Sequence, residues 1–245
     1  MPSPASVAEV VAQMERLVAP LPRTDGVACF TRLYLAVTEG VDQRLAGVTF
    51  ADASFLARLD VVFADLFLTA LQAFSSDPAR APHAWAPLFE SRSSRGIAPL
   101  QFAFAGMNAH INRDLPVALV QTCREFGITL DRGSPQHADF ERINQLLATV
   151  EGEVKGQYLT GWLRTIDRLL HHVDRIDDVV AMWNISRARD AAWTNAEALW
   201  AVGNDADLAR DYLATLDRMV GLAGRGLLLP ADTWLQRLGR RLRSL

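Results

Sequence analysis

Apolar residues recur along this chain at spacings of three and four, and nowhere alternate with polar ones over the length of a half-buried strand. Residues 6–18 carry Val7, Val10, Val11, Met14, Leu17 and Val18 on one face until Pro20 and Pro22 stop the pattern, which predicts a peripheral first helix within residues 1–22. Thr24 or Asp25 can cap a second helix, striped by Phe30, Leu33, Tyr34, Val37 and Val41, that runs to Gly47. Asp52 caps a third, reaching about Phe74. Between residues 75 and 97, Pro78, Pro82 and Pro87 cut any longer period. Trp85 and Phe89 in the same stretch call for packing, so it reads as an ordered loop rather than a tether.

A fourth helix is expected over residues 99–112, and a fifth after Asp114, with Pro116 in its first turn and its end near Gly127. Asp139 opens a longer periodic region that breaks near Gly156 or Gly161 and reaches His172. Residues 177–201, 205–223 and 232–242 complete the set. The fold class that follows is all-α: one orthogonal, irregular bundle of about eight helices forming a single domain over residues 1–245.

Composition narrows the partners. Half of the 245 residues are hydrophobic and 22% are charged, a balance that folds. A net charge of -3 lacks the basic footprint of a phosphate-backbone binder, so no nucleic acid is expected. The one basic cluster, Arg237, Arg240, Arg241 and Arg243, reads as a solvated last turn. Cys29 and Cys123 sit in apolar runs as small hydrophobes. There is neither the leader pattern of a secreted chain nor an uncharged run long enough for a membrane span, and the chain reads as cytoplasmic. No Walker-type loop, dinucleotide fingerprint, Gly-x-Ser-x-Gly elbow or His-Glu-x-x-His pair occurs, so no nucleotide cofactor is expected.

Candidate chemistry comes from polar groups on apolar stripes, because burying an ionisable group unpaired costs several kcal/mol. On the third helix, Arg58, Asp65, Thr69 and Gln72 form the solvent face. Asp60 instead falls among Leu56, Phe63, Ala64 and Phe67 and points inward, as a structural ion-pair partner, a cap for a neighbouring helix or a functional carboxylate. From Ile97 to Asn112 the fourth helix bears no ionisable side chain but His110, as expected of a helix covered on all sides. Gln101, Asn108 and Asn112 share one of its sides; Gly106, His110 and Asp114 share the other.

An imidazole four residues before a carboxylate can converge on a metal or a substrate proton. The plainer alternatives are a hydrogen-bonded core histidine and, for Asp114, the N-cap of the next helix. Gly106 points to function or to close packing. In the 177–201 run, Arg189 lies in an aromatic stripe with Trp193 and Trp200, where it can stack on Trp193, pair with Asp60 or meet an anionic ligand. His171 and His172, followed by Asp174, Asp177 and Asp178, point in different directions and read as a solvated helix end. His83 and His137 fall in expected loops.

The segment 104–116, FAGMNAHINRDLP, resembles a bacterial family of uncharacterised helical proteins, a likeness that extends to residues 87–90 and 183–193. It implies a single helical domain and assigns no activity. His110 and Asp114 also resemble the His-x-x-x-Asp helix of zinc-dependent phospholipases and nucleases, which implies a divalent metal on those residues. The chain departs from that pattern at Ala118, where those enzymes place another histidine.

The functional expectation is an enzyme acting on a small molecule between helices, by metal-assisted or general acid/base hydrolysis or by cyclisation or lyase chemistry. His110, Asp114 and Asp60 are the catalytic or metal-ligating candidates, and Asn108, Asn112, Arg189 and Trp193 the substrate-binding ones. The alternative is a non-catalytic module for an apolar ligand or partner helix, whose polar groups only fix helix register. Either leaves room for a homo-oligomer.

Overall fold

Capping side chains set most helix starts in the computed structural model, which describes residues 3–45, 48–147 and 184–229. The Ser6 side chain accepts from the Glu9 N–H at the start of α1 (Val7–Val18). Asp25 Oδ1 accepts from the Val27 and Ala28 N–H groups at 2.9 and 3.1 Å and opens α2 (Gly26–Leu45). Asp52 does the same for Phe55 at 3.0 Å, opening α3 (Ala53–Ser76). A 3₁₀ turn, Pro78–Arg80, and a short α4 (Ala86–Ser91) punctuate the stretch expected as loop. Trp85 and Phe89 are fully buried there, which is the packing their size demands.

The expected break at Asp114 does not occur. α5 (Pro99–Ala109) continues through a π turn, His110–Asp114, into α6 (Leu115–Phe126). The cause is Pro116, which has no N–H for the Asn112 carbonyl and crowds it with its ring. The helix accommodates this by widening, so that the Leu115 N–H reaches back five residues to the His110 carbonyl. Asp114 therefore has helical backbone angles and caps nothing. Gly127, at φ 64°, ends α6 in the left-handed conformation, as its position foretold.

Helical structure next covers residues 135–147 (α7), begun by Ser134, whose hydroxyl accepts from the His137 N–H. Asp139, expected to open this helix, lies inside it, and His137, expected in a loop, is helical too. Buried Asp139 instead accepts from the Ala51 and Asp52 N–H groups, so it organises the entry to α3 from 87 residues away. Of the run expected over residues 177–201, residues 177–183 lie outside the described residues, and Asn184, with its extended backbone and side-chain bond to the Arg187 N–H, starts α8 (Ile185–Ala201). Asp205 caps α9 (Ala206–Leu227), which ends four residues beyond the expected Ala223. The break near Gly156 or Gly161, the polar run from His171 to Asp178, the last helix over 232–242 and its arginine cluster all lie outside the described residues.

The molecule is all-α, with no strand among the described residues. α5 is the central element: residues 102–109 are all buried, between α2 on one side and α9 on another. α6 packs on α3 and α8, and the π turn is contacted by α3, α8 and α9. A charge-free helix thus delivers His110 and Asp114 to the interior. No helix of the described residues is long and apolar enough to cross a membrane.

Candidate functional site

His110 and Asp114 meet inside the protein, exposed by 1% and 0%. The imidazole Nδ1 lies 3.3 Å from Asp114 Oδ2, which also accepts from the Trp85 indole N–H at 2.9 Å; Oδ1 accepts from Arg113 at 2.7 Å. A carboxylate holding these donors acts as acceptor towards the imidazole as well, so Nδ1 carries the proton and Nε2 the lone pair. Nε2 is buried and has no hydrogen-bond partner.

The aromatic surroundings hold the ring in place. Phe63 stacks on it with centroids 3.5 Å apart and planes at 6°, and Tyr34 meets it edge-on at 4.8 Å. Phe30, Phe67 and Trp85 close the cage. Burial pulls the His110 pKa below its usual value; Asp114 works against this and Arg189 with it. The imidazole is neutral near pH 7. The Tyr34 hydroxyl is also buried without a partner. Burial above all, then Asp60, raises its pKa well above the ordinary tyrosine value, with Arg189 opposing, so it keeps its proton and is a donor.

Asp217 positions this group from behind. It accepts from the His83 and Ala84 N–H groups at 2.7 and 3.0 Å, fixing the loop that carries Trp85, and its Oδ1 lies 3.6 Å from Arg113 Nε.

The other sequence candidates divide. Asp60, one turn before Phe63 on α3, is largely enclosed but keeps a partly accessible edge. It makes no ion pair with Arg189 among the described residues, although each feels the other's charge. Arg189 is 8% exposed. It lies over Phe140, 4.3 Å from the ring centroid, rather than over Trp193, and its Nε donates to Asn144 Oδ1 at 2.6 Å. Phe140 comes from α7, a neighbour that reasoning within one helix could not supply. Trp193 packs on His137 and Phe140, away from the His110 cage. Asn108 donates to the Val220 carbonyl of α9 and accepts from Asn112, so both amides are spent on joining α5 to α9. The structure thus joins His110 and Asp114 beside Tyr34 and Phe63, brings the charges of Asp60 and Arg189 within electrostatic reach of Tyr34, and leaves Asn108, Asn112 and Trp193 at other interfaces.

Sequence reasoning missed Tyr34, Phe63, Trp85 and Arg113. The hydroxyl of Tyr34 on an otherwise apolar stripe was the available signal, and Arg113 is Asp114's neighbour in sequence; Phe63 and Trp85 enter through contacts between elements.

Among the described residues, no three His, Cys, Asp or Glu side chains surround a point that could hold a metal ion. Asp114 already accepts from three N–H donors. These residues do not form the donor set implied by the likeness to zinc-dependent phospholipases and nucleases.

Burial lifts the Asp60 pKa from 3.8 to about 6, with Arg189 opposing. A carboxyl whose pKa is higher folded than unfolded holds extra protons in the folded state between those values, so its contribution to stability falls as pH rises across that window. Asp60→Asn is therefore expected to raise the unfolding free energy by about 2 kcal/mol near pH 7.5 and by almost nothing near pH 4. Urea unfolding of both proteins at the two pH values measures this. A gain that does not depend on pH would mean that Asp60 is not protonated on burial.

Fold and site together define a class, an all-helical protein built around a buried imidazole–carboxylate pair. Residues 7–230 match DUF5995, a family of unknown function, and the chain belongs to that family. No curated protein and no solved structure matches it.

Proposed function

We propose that this protein is an enzyme that acts on a small molecule by general acid/base chemistry, with His110 Nε2 as the base. The observation that carries this reading is the asymmetry of the imidazole: Nδ1 is held by Asp114, while Nε2 is buried and unpartnered. A polar atom left unsatisfied in a caged interior is unfavourable unless it serves a ligand. Asp114 sets the tautomer, and Trp85 and Arg113 hold Asp114. Phe63 restrains the ring. Tyr34 would donate to negative charge that develops as the proton leaves. Removal of a proton from water or from a substrate carbon is the step common to the hydrolytic and lyase reactions that these groups suit.

The aromatic cage favours a second reading, a module without activity in which His110 only fixes helix register. Wild type and His110→Gln, compared at equal folded concentration in a metabolite extract followed by mass spectrometry, separate the two. A compound consumed by the wild type and spared by the variant is expected. ¹⁵N NMR of the imidazole should show Nδ1 protonated and Nε2 bare. Equal conversion, no conversion by the wild type, or a protonated Nε2 would overturn the enzymatic reading.

A further inference from the structure

Arg189 is a buried cation that makes no ion pair among the described residues. Its Nε is spent on Asn144 and its face on Phe140, and among the described residues no carboxylate lies within ion-pair distance. Asp60, Glu141 and Asp190 influence it only through space. A buried guanidinium without a counterion is unfavourable, and its planar fork matches a carboxylate in two parallel hydrogen bonds. α8, which carries Arg189, packs on the π turn that carries His110. Tyr34 is in ring contact with His110, and its hydroxyl is buried without an acceptor.

A cation without an ion-pair partner among the described residues is thus in electrostatic reach of an unpartnered hydroxyl donor and of an unpartnered imidazole lone pair, on helices that pack together. We propose that the site takes a small carboxylic acid, bound as its carboxylate by Arg189 and Tyr34 and presenting a removable proton to His110 Nε2. This rests on the acid/base reading of the same site. A single negative charge fits better than phosphate: Arg189 is the one guanidinium whose charge acts on both Tyr34 and His110, Asp60 acts against it with negative charge, and phosphate sites draw on several cations or a helix N-terminus.

The test is thermal unfolding of the intact chain at constant ionic strength with acetate, propionate and benzoate, each beside its uncharged amide, and with inorganic phosphate. The carboxylates should raise the Tm of wild type and of His110→Gln saturably, while the amides and phosphate do not. Arg189→Gln should lose the shift, and Arg189→Lys, which keeps the charge but not the fork, should weaken apparent affinity at least about tenfold. Should Arg189→Gln fail to fold, the Arg189 Nη resonances of the wild type should move on titration with carboxylate, an effect that does not depend on that variant.

A shift that survives in folded Arg189→Gln, amides as effective as acids, a preference for phosphate, or no saturable shift would overturn the proposal. The two readings fail separately. Carboxylate binding without His110-dependent conversion removes the enzyme and keeps the ligand class, whereas His110-dependent conversion of an uncharged compound does the reverse.

Discussion

Asp114→Ala is expected to lower the unfolding free energy by about 3–5 kcal/mol, because it takes the acceptor from three buried or part-buried N–H donors at once. Arg113 retains a more distant carboxylate in Asp217, at 3.6 Å, but Trp85 and His110 have no substitute acceptor in their cage. Asp114→Asn is the more informative variant. It keeps the shape of the side chain and one carbonyl oxygen, so the expected loss is nearer 1–3 kcal/mol. Its amide can, however, donate to Nδ1, which moves the ring proton to Nε2. On the proposed chemistry this should cut turnover by on the order of a thousandfold or more, with a matching change in the ¹⁵N spectrum of His110. Urea unfolding, imidazole NMR and turnover read the three effects. A folded Asp114→Asn variant with wild-type turnover would show that the carboxylate only supports the fold.

The parts of this architecture that could be read from the chain are those governed by neighbours in sequence. Asp25, Asp52 and Asp205 are caps because a carboxylate just before an apolar stripe meets the free N–H groups two or three residues on, whatever surrounds it. The absence of charge from Ile97 to Asn112 signalled a helix covered on all sides, and α5 is one. Asp114 shows where such reasoning stops. An aspartate before Leu-Pro has the local signature of a cap, yet the helix runs on as a π turn with neighbours packed along both of its halves. Asn184 is the converse case, a helix start hidden in a periodic run that suggested continuity.

The site was half legible for the same reason. His110 and Asp114 are four residues apart on one helix, so periodicity could pair them. Trp85 reaches Asp114 from another element 29 residues away, and Phe63 and Tyr34 arrive on α3 and α2. Arg189 was recognised as an inward cation, but its partners Asn144 and Phe140 belong to a helix whose register against α8 no single-helix projection contains. Helical periodicity shows which side chains turn inward and is silent on what they meet.

Gly106→Ala is expected to cost about 2–3 kcal/mol, although alanine by itself favours a helix interior by about 1 kcal/mol. A Cβ at this position would overlap the Phe30 ring, because α2 and α5 approach each other there with nothing but glycine between. Phe30 has little freedom to yield. It is fully buried and meets Phe67, Trp85 and His110 edge-on, with centroids 4.9, 5.1 and 5.6 Å away, so moving it presses on the cage around the imidazole. The glycine thus links the helix packing to the site, and Gly106→Ala should disturb the His110 ring resonances as well as the Tm. Phe30→Leu would leave a void alone, costing about 1–2 kcal/mol, and should accept the new methyl group when the two are combined. The double variant is therefore expected to be more stable than the sum of the single losses allows by at least about 1 kcal/mol. Strictly additive losses in that cycle would mean that the strain at position 106 is relieved by a shift of α5 as a whole rather than taken up by the Phe30 ring.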